Sequence, residues 1–335
     1  MRPKLLVIEL WGLGDLAIAS PFIRAAQLHY EVTILAKAVA GEIAPALWPG
    51  ANVREWTAPW TAFKGKYRLW NWPWKELQEL RAWSKRENFS AVVSARHDPR
   101  DHVLMRFLGV RRRVGVPRLG SGSLLTDTPP APARLSHRAE WWTAVGRPLG
   151  IVPTASSGSS PFPPGMKRGR ILIHSGAAQP VRVWPLERYA GVARELARMG
   201  YDVRVVCDPG QEGFWFSQTG IVVVKPAGIG GFLSELEEAM AFVGNDSGPG
   251  HLAAAAGVPT FTIFGNQLPE WFLPVHPLAG HIPGGACPHK PCFDACRFAE
   301  AHCLTGISSD VVLSGIGDFL RRLGASPAKT GQSVG

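Results

Sequence analysis

Four stretches of the 335-residue chain carry residue types at spacings that suit chemistry. The first is VGNDSGPGHLAAAAG, over 243–257. Asp246 or Ser247 can cap a following helix, and Gly248 and Gly250 remove side chains where a ligand would approach the backbone. An Ala-rich helix beginning here offers unpaired N–H groups and the positive end of its dipole, which suits a diphosphate. An ordinary capped strand-to-helix turn uses the same residue types. The second stretch is Ser175-Gly176 followed by Arg182. The guanidinium fork matches phosphate oxygens, so Arg182 reads as a fixed cation for the same diphosphate or as a solvated loop arginine.

The third stretch is the first loop, where Gly12 and Gly14 precede Asp15. A carboxylate there can take the proton of an attacking hydroxyl, and it can equally cap the helix behind it. On the same half of the chain, ARHDPRDH over 95–102 follows an apolar run, and Arg96, His97 and Arg100 suit an acidic or phosphorylated acceptor. The fourth stretch holds Cys287, Cys292, Cys296 and Cys303. Four thiolates can bind zinc or iron, but paired C-x-x-C knuckles are missing, so structural metal, free thiols and disulfides all stay open. Thirteen tryptophans are many, and Trp56, Trp60, Trp70, Trp72 and Trp74 crowd around Lys64, Lys66 and Arg68. Such a loop suits sugar faces, a membrane surface, single-stranded nucleic acid or plain packing. Residues 111–113 read as a solvated basic edge.

These residues need elements to hold them. Short apolar runs at 4–10, 31–36, 53–56 and 90–95 alternate with helical patterns at 16–28 and 76–86, the periodicity of a covered parallel sheet. The text at 151–168 turns to Ser, Gly and Pro, the composition of a linker. Alternation then resumes. Strands are expected at 170–174, 202–207, 221–224, 242–244 and 259–264, with helices at 185–199, 231–240, 250–256 and 309–323. The expected organisation is a first domain over 1–155, a linker over 156–168, a second domain over 169–324 with a Cys-rich loop at 285–304, and a disordered tail over 325–335. Paired α/β halves place a ligand at the carboxyl ends of their strands.

Bulk composition narrows the classes. Nearly half the residues are hydrophobic, which excludes a disordered polymer. No run of 18 or more apolar residues marks a membrane span. The apolar start is broken by Asp15, so it reads as a first strand and turn rather than a signal peptide, which implies a cytoplasmic chain in which disulfides are disfavoured. A net charge of +10 draws the chain toward anions.

Taken together, the motifs resemble glycosyltransferase family 9, the ADP-heptose:lipopolysaccharide heptosyltransferases. The matching text is ILIHSGAAQPVRVWPLERYAGVARELARMGYDVRVV, then AFVGNDSGPGHLAAAAGVPTFTIFG, then CFDACRFAEAHCLTGISSDVV, with VIELWGLGDLAIASP in the first half. The resemblance covers most of residues 1–325. It implies a GT-B fold, α/β with two Rossmann-like domains facing a central cleft. It implies inverting sugar transfer with no metal at the donor site. Asp15 matches the general base, and Gly14, Arg96, His97 and Arg100 fall on the acceptor side. Arg182 stands where relatives often have Lys. Ser175, Gly176, Asp246, Ser247, Gly248 and Gly250 match the donor diphosphate site. His251 would help hold that loop, and Gln211 or Glu212 falls where the family contacts the donor nucleotide. No cofactor is implied for catalysis. Some relatives that modify autotransporters carry iron on four cysteines, which favours a structural zinc or iron here. The partners implied are a nucleotide-sugar donor such as ADP-heptose, an acidic or phosphorylated glycan or lipid acceptor, and the inner membrane surface as a peripheral site, with nucleic acid not expected. Two other readings are a GT-B enzyme with another donor or a protein acceptor, and a non-catalytic carbohydrate-binding relative.

Overall fold

The computed structural model describes residues 2–61, 72–153 and 169–325. The expected linker, the tail beyond Ala325, and Lys64, Lys66, Arg68 and Trp70 lie outside the described residues. The chain divides into two compact units, residues 1–158 and 159–335.

Unit 1 is a five-stranded sheet in the order β3-β2-β1-β4-β5. In chain order its elements are β1 (Lys4–Ile8), α1 (Leu13–Gln27), β2 (Glu31–Ala36), α2 (Val39–Leu47), β3 (Asn52–Glu55), α3 (Trp74–Glu87), β4 (Ala91–Ser94), α4 (Pro99–Phe107), β5 (Arg112–Gly115) and α5 (Arg138–Gly146). All strand pairs are parallel. Leu5, Leu6, Val7, Ile8, Val92 and Val93 are fully buried in the two central strands. A parallel sheet covered on both faces requires such continuous apolar runs. The chain leaves β1 in one direction to β2 and β3, then returns to lay β4 on the other side of β1. That reversal opens a crevice at the carboxyl ends of β1 and β4.

Unit 2 repeats the logic with six strands in the order β11-β10-β9-β6-β7-β8. Its elements are β6 (Arg170–His174), α6 (Leu186–Arg198), β7 (Asp202–Val206), α7 (Glu212–Phe216), β8 (Val222–Val224), α8 (Gly228–Glu237), β9 (Ala239–Asn245), α9 (Gly248–Ala255), β10 (Thr260–Ile263), α10 (Pro269–Phe272), β11 (Gly280–Ile282), α11 (His302–Thr305) and α12 (Ser309–Arg322). Its pairs are also parallel, and the direction reverses between β6 and β9. Trp184, Tyr189, Trp215, Phe261 and Phe319 fill its core. Among the described residues, no helix is long and apolar enough to cross a membrane.

Several boundaries differ from the sequence reading, and the differences matter for the site. Helix α1 begins at Leu13 with Gly12 as its N-cap. Asp15 is therefore the third residue of the helix and not its N-cap, but its carboxylate accepts from the Gly12 N–H at 3.5 Å and helps cap the helix from inside the first turn. The charged stretch after β4 is the start of α4, capped by Asp98. Strand β9 runs the full length from Ala239, and α8 ends earlier than expected. The basic edge at 111–113 is partly strand β5, where Arg112 pairs with Asp127 at 3.0 Å and Arg113 donates to main-chain carbonyls of Leu124 and Val110.

Candidate functional site

The switch point of unit 1 gathers charge around one arginine. Strand β1 ends one residue before Glu9, which is 2% exposed. Arg96 enters just past β4, and its guanidinium pairs with Asp15 and lies 3.8 Å from Glu9 Oε1. It also sits over the Trp11 ring at 5.0 Å, a cation–π contact. Burial pulls Arg96 down, but the carboxylates of Asp15 and Glu9 outweigh it and hold the group above its ordinary value. Glu9 is the strained partner. Burial raises its carboxyl to about 7, with Arg96 opposing and Asp15 adding to the rise. Gly14 lies in the same first turn of α1 as Asp15.

The other two acceptor-side residues are placed differently. His97 stacks on Trp141 at 4.6 Å, and burial, with Arg138 adding, lowers its pKa. Arg100 folds onto its own cap: it donates to Asp98 through Nε at 2.9 Å and Nη2 at 2.6 Å. The same first turn of α4 buries Asp101, which accepts from Trp60 Nε1 at 3.2 Å and Ser94 Oγ at 3.1 Å. Burial raises Asp101 to about 7. The tryptophan crowd is largely packing. Trp56 and Trp60 are buried and meet edge to face, and Trp60, Trp72 and Trp74 line an apolar cavity of about 300 Å³ beside α4.

In unit 2 the loops after β6 and β9 meet. Ser175 is fully buried. Its Oγ donates to Gln211 Oε1 at 2.7 Å and accepts from Trp215 Nε1 at 2.9 Å. Its carbonyl accepts from Asn245 Nδ2 at 2.8 Å. Asn245 Oδ1 in turn accepts from the Trp184 N–H at 3.0 Å and the Tyr189 hydroxyl at 2.9 Å. This buried amide fixes the two loops against each other. Gly176 lets the Asp208 carboxylate lie against its backbone: a Cβ there would stand 2.1 Å from it, and Asp208 would have to move. Of the two candidate nucleotide contacts, Gln211 holds Ser175 while Glu212 pairs with Lys225 at 2.9 Å.

Arg182 closes this loop region. Its Nη1 donates to Asp246 Oδ2 at 3.2 Å, and its Nε and Nη2 take Asp294 in a two-point contact at 2.6 and 2.8 Å. Asp246 is 3% exposed, and burial raises its carboxyl to about 6, with Arg182 opposing. Asp294 is partly buried, which works to raise it, but hydrogen bonds from Arg182 and Asn266 hold it below the usual carboxylate range. Ser247 is the N-cap of α9, yet its side chain makes no cap bond and its Oγ is buried with no hydrogen-bond partner. Gly248 and Gly250 follow in the first turn, which contains no acid. His251, buried on α9, lies 3.9 Å from Asp246 through Nε2. A buried, unsatisfied hydroxyl at a helix start with free N–H groups and a neighbouring arginine is arranged to receive an anion.

All four cysteines of the last stretch border one cavity of about 170 Å³, with Asn266 on its wall. They are free thiols. Burial raises the Cys303 thiol, Lys290 opposes, and Cys287, Cys292 and Cys296 add to the rise. Among the described residues, no three His, Cys, Asp or Glu side chains are gathered closely enough to hold a metal ion. Sequence reasoning did not select Glu9, Asn245 or Asp294. Glu9 had a signal, a carboxylate directly after an apolar strand. Asp294 had none, because its partner is 112 residues away.

Two parallel sheets, each with one reversal of strand order, make an α/β chain, and one of them bears a helix start that can receive an anion. The pattern of Glycosyltransferase family 9 (heptosyltransferase) matches residues 152–302. It is 24% identical over 173 residues to Lipopolysaccharide heptosyltransferase 3 of Escherichia coli; that match spans 49% of this chain and 44% of the relative, less than half of its length. Among solved structures, the E. coli heptosyltransferase WaaC with ADP superposes with a TM-score of 0.73 at 16% identity, covering 94% of this chain and 99% of that one. The iron-containing dodecameric glycosyltransferase TibC of enterotoxigenic E. coli gives 0.56 at 18% identity, covering 96% of this chain and 77% of that one. The fold is GT-B.

Proposed function

We propose that this chain moves a sugar, heptose from ADP-heptose, to a hydroxyl of lipopolysaccharide core or a related glycan with inversion. The observation that carries the reading is the acid-free start of α9, with the orphaned Ser247 hydroxyl and Arg182 beside it. In this reading the donor diphosphate lies on the N–H groups at Ser247, Gly248 and Gly250, and Arg182 meets the charge that grows as the bond to the anomeric carbon breaks. Asp15 takes the proton of the acceptor hydroxyl as it attacks. Its pairing with Arg96 fixes the direction of the carboxylate, and Arg96 also offers a cation to a phosphorylated acceptor. Fixed positive groups do the work that a donor-site metal does elsewhere. The ADP named with WaaC and the lipopolysaccharide named with the E. coli relative support these choices of donor and acceptor.

The net charge of +10 supports peripheral work at the anionic cytoplasmic face of the inner membrane. A structural metal on Cys287, Cys292, Cys296 and Cys303 is proposed from their shared cavity and from the iron-containing relative. The thiols must draw together to hold it, and no catalytic step passes through it. Metal content of the purified chain, with Cys292→Ser as control, decides this: a metal-free, fully stable protein removes the metal.

A screen of nucleotide-sugars by thermal shift tests the donor, because a true donor raises the melting temperature by mass action. ADP-heptose is expected to give the largest rise. A larger rise with another nucleotide-sugar would assign a different donor, and no rise with any would remove the enzyme reading in favour of a carbohydrate-binding relative.

A further inference from the structure

Asp294 ties the cysteine loop to the arginine of the candidate donor site. It lies in sequence between Cys292 and Cys296, which border the cysteine cavity, but it does not line that cavity itself. Its carboxylate instead takes Arg182 through Nε and Nη2. A two-point contact sets the plane of a guanidinium as well as its place. The remaining terminal nitrogen, Nη1, is turned to Asp246.

The loop has little freedom to slip around this contact. Phe293 and Asp294 are consecutive non-glycine residues at φ 48° and 68°, a left-handed conformation that side chains disfavour and that persists where neighbours enforce it. The Phe293 ring stacks on Trp271 at 5.9 Å. Asn266 serves both sides: it lines the cysteine cavity and donates to Asp294 Oδ1 at 2.9 Å. A shift of Cys292 or Cys296 therefore moves a carboxylate two residues away that orients Arg182.

We propose that Asp294 is a positioning residue through which the cysteine loop sets the orientation of Arg182, and with it the affinity for a nucleoside diphosphate. The inference rests on the reading of Arg182 as a diphosphate ligand. It makes the cysteine loop a control on donor binding in addition to a support for the fold.

The test uses the full chain and ADP as the probe, with affinity read by calorimetry and folding by melting temperature. Asp294→Asn is expected to weaken ADP about tenfold, since it removes a charge-assisted two-point contact. Cys292→Ser is expected to weaken it about threefold, and the double variant no more than Asp294→Asn alone, because residues acting through one contact are not additive. Asp294→Glu, which keeps the carboxylate, should regain part of the loss. Unchanged or tighter ADP binding in Asp294→Asn would overturn the proposal, as would full additivity in the double variant. If Asp294→Asn fails to fold, Asp294→Ala takes its place, with the same outcomes deciding. Unchanged ADP affinity in Arg182→Ala would sink the donor-site reading itself, a result distinct from failure at Asp294.

Discussion

Each unit places one arginine between two carboxylates at the carboxyl ends of its two central strands. In unit 1, Arg96 sits between buried Glu9 and half-buried Asp15. In unit 2, Arg182 sits between buried Asp246 and half-buried Asp294. In both, burial raises the inner carboxyl, to about 7 and about 6 respectively. The units differ in where the outer carboxylate comes from. Asp15 belongs to the first turn of the very helix that starts at its crevice. A negative group there satisfies the helix dipole and repels a second anion. The first turn of α9 has no acid, and the outer carboxylate arrives on a separate loop. The reactive carboxylate is accordingly proposed for the first crevice, and a ligand's phosphates for the acid-free helix start of the second.

The contrast breaks most visibly at Asp15. Asp15→Asn keeps shape and the pull toward the Gly12 N–H but removes the base, so the turnover rate should fall about 10²–10⁴-fold. ADP affinity should stay within about twofold, since the proposed roles fall to different units. Loss of ADP binding along with rate would mean that unit 1 also holds the donor. Arg182→Ala comes next. It should weaken ADP about 10–100-fold, the scale of a lost charge-assisted contact to phosphate, while the far-ultraviolet spectrum stays unchanged. A variant that keeps ADP affinity would take Arg182 out of the diphosphate site.

The central strands were legible because parallel strands buried on both faces carry unbroken apolar runs, as at residues 5–8 in β1, 91–93 in β4 and 171–173 in β6. The helix start at Ser247 was legible from its small residues. Edge strand β5, written Arg-Arg-Val-Gly, was not, because half-exposed edges carry no such run. Helix α4 was hidden by Pro99, which favours a first turn once Asp98 caps it but reads as a break in a charged segment. Glu9 and Asp294 escaped because their roles depend on partners supplied by other elements, Arg96 from past β4 and Arg182 from past β6. Local pattern reports burial and caps, and it does not report which distant charge will arrive.

The inner carboxyls sharpen the comparison through pH. Glu9 titrates at about 7 in the folded chain against an ordinary value of 4.5. Between those values the folded state holds a proton that the unfolded state has lost, so this group's contribution to stability falls as pH rises through the window and levels off above it. Asp101 and Asp246 act in the same sense. Glu9→Gln removes one such proton. The decline in unfolding free energy between about pH 5 and about pH 7 should flatten by up to about 1.4 kcal/mol per pH unit. Denaturant melts across that range give the slope directly. Parallel slopes for the two proteins would mean that Glu9 stays ionised beside Arg96, and the two units would then differ in their inner groups as well as their outer ones.

The smallest effect is expected at Arg100. Its side chain is already tied to Asp98 by two contacts at the start of α4, and Arg96, not Arg100, stands at Asp15. Arg100→Ala should cost no more than about 1 kcal/mol of stability, as for a partly exposed ion pair. The acceptor KM should change by less than about threefold, against at least about tenfold for Arg96→Ala, which removes a paired cation. A large KM effect at Arg100 would require Asp98 to give up its arginine when the acceptor arrives. Unit 1 would then hold a cation that its ligand must draw away from a carboxylate, whereas Arg182 in unit 2 is proposed to work while held by Asp294, and the difference between the two crevices would widen.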